Sequence, residues 1–255
     1  MDRTFRKTLN LVKELAWNDF KLRYNRSVLG FFWSLLKPLL IFATLYVVFS
    51  IVFQMDIPHY QLFLLFGIVL WTYFAETTVA SMHNLVGKKD LINKLYFPRE
   101  LIVISSCLSA SITFILNLFV FWIFMLIFDA YITYHAFTFF ILLAELFILV
   151  LGLSFALSAL YVLFRDLAHI WEVFLQIGFW ITPIIYPLSA VPEKYLKWYM
   201  LNPMARIIND SRNAVIFHGL PSLWHMAITL IMCLAALLFG LWIFRRLSPR
   251  FADEI

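Results

Sequence analysis

Long apolar runs dominate the chain, and their lengths set its architecture. Five reach the roughly 20 residues that a helix needs to cross a hydrocarbon core about 30 Å thick. They are Pro38 to Phe53 with its flanks, Gln61 to Met82, Leu101 to Phe128, Ala136 to Phe164, and Leu223 to Phe244, each with at most one internal carboxylate. A sixth, Leu167 to about Val191, is apolar but interrupted by Pro183 and Pro187. The runs are continuous rather than alternating in polarity, which predicts helices and argues against a strand-built barrel. The expected fold class is all-α, a polytopic membrane protein with six transmembrane helices.

The segments between the runs carry their own patterns. From Thr4 to Arg26, Phe5, Leu9, Val12, Ala16 and Phe20 recur at helical spacing, with Arg6, Lys7, Lys13, Glu14 and Lys21 around the rest of the axis. With Trp17, that pattern fits an amphipathic helix lying in the membrane interface over residues 1–34, the alternative being a solvated basic leader. In the connection His83 to Glu100, Asp90 and Lys94 stand four apart, Leu91, Ile92 and Leu95 form an apolar side, and Pro98 stops the helix. Two readings stay open there, docking onto a soluble partner or simple interfacial anchoring.

The connection from Pro187 to Pro221 is some 35 residues long. Within it Met204, Ile207, Ile208, Ala214, Val215 and Phe217 fall roughly on one helical side, and Arg206 and Asp210 are spaced for an i, i+4 pair. Non-spanning helices at membrane depth are tolerated where protein buries them or they line an aqueous cavity. The segment 187–222 therefore either dips back into the membrane as a gate or rests as a cap on the surface. In the tail, Arg245 and Arg246 anchor the last helix, and nothing more is expected of it.

Composition sharpens this picture: 63% of residues are hydrophobic and 14% charged, far from soluble-domain usage. A water-soluble fold is excluded. Of the twenty lysines and arginines, sixteen fall on one side of the expected topology, leaving only Lys194, Lys197, Arg206 and Arg212 opposite. The positive-inside bias and an even number of crossings place both termini in the cytoplasm. Topology and anionic lipid account for the net charge of +5, which gives no argument for nucleic acid. The first 37 residues are too long and too charged for a signal peptide, so the amino terminus is expected to be retained. Cys107 and Cys233 lie inside apolar spans, offering no disulfide framework or CxxC pair.

Chemistry is sparse. Among seven glycines no GxxxxGK[ST] loop occurs, so no nucleotide cradle of that kind is present. HExxH, GxSxG and Cys/His zinc spacings are also absent, and the histidines are scattered at 59, 83, 135, 169, 218 and 225. No cofactor or metal is expected on this chain. Three carboxylates, Glu76, Glu145 and Glu172, fall within spans, where an ionisable group costs several kcal/mol unless it faces a cavity or partner. Glu145 is the deepest. Phe42, Tyr46 and Phe49 in the first span, with Phe174, Trp180 and Tyr186 in the fifth, are candidates to line an aromatic conduit along which sugar rings slide, lipid-facing or core packing being the other role open to each. With no repeat and no linker, 1–255 reads as one membrane domain.

Several motifs then fall in order. The stretch Trp17-Asn-Asp-Phe-Lys-Leu-Arg-Tyr-Asn-Arg-Ser-Val-Leu-Gly-Phe-Phe-Trp-Ser-Leu-Leu-Lys-Pro38 resembles the opening of the ABC-2 type polysaccharide export permeases. Asn93-Lys-Leu-Tyr-Phe-Pro-Arg-Glu100 is similar to that family's first cytoplasmic loop, and Phe164-Arg-Asp-Leu167, Thr182-Pro-Ile-Ile-Tyr-Pro187 and Leu201-Asn-Pro203 follow in the expected sequence. The resemblance covers essentially the whole chain and is closest to the O-antigen exporters.

This resemblance implies a homodimer of six-span subunits in the inner membrane, each paired with a separate cytoplasmic ATPase that holds ATP and Mg. It implies that the loop 83–100 couples to the ATPase through Lys88, Lys89, Asp90, Asn93, Lys94, Tyr96, Phe97, Arg99 and Glu100, with Arg23 of the interfacial helix beside it. It also implies re-entrant gate helices before the last span, and a conduit lined by the first and fifth spans. The cargo implied is a lipid-linked polysaccharide, with capsule, teichoic acid, small lipids or drugs as alternatives. A membrane-embedded glycan transferase is a further rival, but Glu145 alone supplies no convergent acid and base set.

Overall fold

The computed structural model describes residues 3–23, 30–89, 91, 98–131 and 133–254. Among these no strand occurs, and helices joined by short non-helical connections make up the structure. Ten α-helices are labelled in chain order: α1 Arg3–Arg23, α2 Phe32–Tyr46, α3 Tyr60–Gly87, α4 Glu100–Ile127, α5 Thr138–Leu163, α6 Leu167–Ile181, α7 Glu193–Tyr199, α8 Pro203–Val215, α9 Leu223–Leu247 and α10 Phe251–Glu254. Five helical segments are long and apolar enough to cross a membrane, α2 with its extension to Val52, α3, α4, α5 with the turn before it, and α9 with the turn after it. The sixth run yields only the 15-residue α6. Its last amide, on Thr182, bonds to the Gly178 carbonyl, and Pro183, lacking an N–H, ends the ladder there.

Helix α3 is the hub. Of its most apolar stretch 78% is buried, against 11% for α2, and α2, α4, α5, α6 and α8 all pack on it. It meets α4 through aromatic plates, Phe66 on Phe121 at 4.4 Å and Tyr73 on Phe114 at 4.3 Å. Past the Tyr73 and Phe114 plate lie small polar groups that let two helices approach in an apolar medium: the Tyr73 and Ser111 hydroxyls meet at 2.9 Å, and farther along Asn84 donates to Ser106 Oγ at 2.8 Å. The tightest crossing joins α5 to α9, where Gly152 and Gly240 bring the two backbones into contact.

Helix α2 continues into one turn of π-helix, Val47–Val52, in which the Phe53 amide reaches back to the Val48 carbonyl at 3.1 Å. Helix α1 rests against α4, burying Val12 and Ala16. The 187–222 connection folds back onto the bundle: α8 packs on α5, α9 and α3 and is mostly buried. Met204, Ile207, Ile208, Ala214 and Val215 face inward as their spacing predicts, whereas Phe217 lies beyond the helix end and is 40% exposed. The Leu201-Asn-Pro203 motif is a helix start. Asn202 caps α8 by accepting from the Met204 amide at 3.0 Å, and Pro203 occupies the first turn, where its missing N–H costs nothing.

The tail departs from expectation. Phe251 is fully buried, packs edge-on against Phe244 at 5.4 Å, and lies under the Arg99 guanidinium at 5.8 Å.

Candidate functional site

A partly open cavity of about 900 Å³ lies at the end of the bundle that carries the basic segments, bounded by α1, α2, α3 and α6. Its walls are mixed: Trp33, Leu175 and Ala80 are apolar, while Asn84, Gln176 and five charged side chains are polar. Two ion pairs organise the charges. Lys37 Nζ lies 2.8 Å from Glu76 Oε1 with both groups solvent-accessible, a geometry worth little in water. Lys88 Nζ lies 2.6 Å from Asp19 Oδ2, with the Asp19 side chain 9% exposed, and this pair ties α1 to the end of α3. Glu172 faces the cavity from α6, with His169 3.9 Å away on the same helix. Two of the three span carboxylates, Glu76 and Glu172, therefore border one polar space.

The third is set apart. Glu145 on α5 is 1% exposed, and its Oε2 has no hydrogen-bond partner among the described residues. Its charged neighbours are Asp210 and Arg206 of the folded-back α8. Arg206 and Asp210 do not form the ion pair that their spacing allows. Instead the Arg206 guanidinium bonds to Thr229 Oγ1 at 2.8 Å, to the carbonyl of Met200 just past the end of α7, and to the carbonyl of His225 in the first turn of α9.

Of the residues placed at the coupling loop by resemblance, Asp90, Asn93, Lys94, Tyr96 and Phe97 lie outside the described residues, as does the side chain of Arg23. Lys89 is exposed. Arg99 donates to the Ser248 carbonyl, and Glu100 approaches Arg245 at 3.6 Å, so the start of α4 is held against the tail. The aromatic candidates divide. Phe42 is buried inside the subunit, edge-on to Phe124 and stacked on Tyr46, and Tyr46 stacks in turn on Tyr60. Phe49 stacks on Phe53. Phe174 and Trp180 are 64% and 57% exposed on one helix, α6. Tyr186 is half-buried, its hydroxyl bonding to the carbonyls of Trp180 and Ile181 and meeting Tyr199.

At the opposite end of the bundle from this cavity, Arg212 was not singled out by sequence reasoning, yet it is held by several partners at once. It is 3% exposed and donates Nε to Phe63 O at 3.1 Å, Nη1 to Pro183 O at 2.6 Å and Nη2 to Ile184 O at 2.6 Å, while stacking on the Phe63 ring at 3.4 Å. Tyr60 adds a bond to Ile185 O, and Asn202 reaches Thr182 Oγ1. The Thr182-Pro-Ile-Ile-Tyr-Pro187 motif is thus a non-helical strip whose bare carbonyls are satisfied from α3 and α8, the condition for irregular backbone away from water. One signal was available: Arg212 sits four residues after Ile208, on the apolar side of α8.

The ABC-2 type transporter family profile matches residues 10–216. An O-antigen export system permease protein of Klebsiella pneumoniae is 30% identical, aligned over 96% of this chain and 94% of its own length. A protein of the same name from Myxococcus xanthus is 28% identical over 83% and 82%. The polysialic acid transport protein KpsM of Escherichia coli is 23% identical over 80% of each. With its five membrane-length apolar helices, the chain is a multi-pass membrane protein that belongs to the ABC-2 type transporter family.

Proposed function

We propose that this chain is the membrane subunit of an exporter that carries a lipid-linked polysaccharide of the O-antigen type across the cytoplasmic membrane. ATP hydrolysis, with its Mg, takes place on a separate nucleotide-binding subunit, and the chain is not an enzyme on its own. It works as a homodimer with six crossings per subunit, α6 and the folded strip after it making the fifth, and both termini are cytoplasmic. The segment 187–222 re-enters the membrane and gates the outer end.

The observation that carries this reading is the 900 Å³ cavity, two of whose walls are α2 and α6, membrane-depth helices that bury few of their residues within the subunit. A second copy set against those faces encloses the space as a passage. Glu172, Leu175 and Gln176 of α6 border the cavity, and the exposed rings of Phe174 and Trp180 on the same helix are offered to the second copy, where flat apolar rings let a glycan slide without tight polar sites. The names of the relatives point to the same cargo. The likeness to a polysialic acid transport protein favours a capsule-type glycan as the second reading.

Deleting the gene is expected to leave lipid-linked glycan inside the cell, and restoring the chain with its ATPase clears it. Mass spectrometry of the accumulated lipid separates the cargoes, undecaprenyl carriage supporting the O-antigen type. No accumulation would overturn the proposal.

The Asp19–Lys88 pair gives a second expected result. It joins the interfacial helix to the entry of the coupling loop, so Asp19→Lys and Lys88→Asp each lower export by about fivefold, and the charge swap restores it to within about twofold, contact pairs typically coupling by about 0.5–3 kcal/mol. Additive loss in the swapped protein would show that the ion pair is not the link.

A further inference from the structure

A second cavity, of about 370 Å³, opens at the opposite end of the bundle, between the loop before α3, the strip after Pro187 and α8. Its polar lining is Asp56, Ser189, Asn209, Asn213 and Arg212, and Phe217 presents a 40% exposed ring beside them. The side chains of Asp56, Ser189 and Asn213 make no hydrogen bond to other described residues. Arg212, almost fully buried, commits three of its five N–H groups to backbone carbonyls, and two donors remain. The volume falls within the roughly 300–1,000 Å³ of small-molecule clefts.

The chemistry selects among ligands. One carboxylate and one guanidinium line the space, so neither a phosphate nor an ammonium finds a net field. An apolar ligand would strand the Asn213 amide, the Ser189 hydroxyl and the Asp56 carboxylate, at about 1–3 kcal/mol for each group left unpaired. What fits is a neutral ring bearing several hydroxyls on one edge and C–H groups on its face. Planar amide and carboxylate groups pair with adjacent hydroxyls, and the ring of Phe217 takes the C–H face.

We propose that this cavity is a subsite for one pyranose unit of the exported glycan, holding the chain as it leaves the passage. The inference rests on the export reading and adds a place where cargo is gripped. A single-sugar grip is weak, at millimolar affinity, which suits a site that must also let go.

The test uses the full-length permease in lipid nanodiscs and saturation-transfer NMR with methyl mannoside, methyl galactoside and N-acetylglucosamine, glycerol serving as control. At least one sugar is expected to give a saturable signal that falls about tenfold in the Asn209→Ala/Asn213→Ala protein. Ser189→Trp, which fills the cavity from an exposed position, provides the same readout if the double variant does not fold. A signal no greater than that of glycerol, or one unchanged in either variant, would overturn the subsite. Failure of the export reading shows instead as absence of glycan accumulation on deletion, so the two are separable.

Discussion

Replacing Arg212 with methionine is expected to lower the melting temperature of the purified permease by about 10 °C or more and to cut the amount of folded protein in membranes severely. Methionine matches the length of the arginine stem but donates nothing, so the carbonyls of Phe63, Pro183 and Ile184 all lose the guanidinium. A buried polar group left unpaired costs about 1–3 kcal/mol, so three stranded together exceed about 3 kcal/mol. Total stabilities are commonly only about 5–15 kcal/mol. Lysine keeps the charge but is a point donor that cannot span three acceptors, so Arg212→Lys is expected to melt nearly as early. A lysine protein melting within about 2 °C of the wild type would show that charge, not the planar fork, holds the strip.

The second large effect lies at the α5–α9 crossing. A side-chain carbon on Gly240 would run into the Gly152 carbonyl, and one on Gly152 would stand 2.6 Å from the backbone of Leu237. Neither obstacle is a flexible side chain, so the helices must part, and the most extensive helix contact among the described residues opens with them. Gly240→Val and Gly152→Val are expected to abolish the monodisperse detergent-solubilised species, with alanine at either site already markedly destabilising. Gly87 is the control: it too is helical, but nothing lies within 4 Å of its added carbon. Gly87→Ala is expected to be neutral or stabilising by up to about 1 kcal/mol. Size-exclusion chromatography and thermal melting of the set measure this directly, and a well-behaved Gly240→Val protein would refute the close approach.

What could be read from the residues was whatever bulk hydrophobicity decides. Apolar runs long enough to cross a bilayer form helices almost wherever they occur, because lipid offers the backbone no other partner, and so the five long helices fall near their expected ends. The polar continuation of α3 to Gly87 went unread because the apolar signal stops at Met82, although the ladder does not. Pro183 marked the stop of α6 correctly, since a missing donor is a local fact.

Side-chain partnerships over long separations were not legible. Arg212 meets Phe63 across 149 residues, and nothing in the pattern around either one announces the other. The Arg206 and Asp210 spacing was a fair local expectation, defeated because the guanidinium turns instead to Thr229 and to the carbonyls of Met200 and His225. Glu145 stands out in the sequence as the deepest of the three span carboxylates, and the cavity gathers the other two, Glu76 and Glu172, nearer the end of the bundle. The pairing of Lys37 with Glu76 was missed because Lys37 had been counted only as topology.

The short tail has a practical bearing on how the protein is handled. Phe251 fills the space between Phe244 and Arg99 much as a cork fills a bottle neck, so this residue belongs to the packed structure. Purification handles and reporter fusions placed just after it need a flexible spacer, and versions cut before Phe251 leave an aromatic hollow beside the first turn of α4.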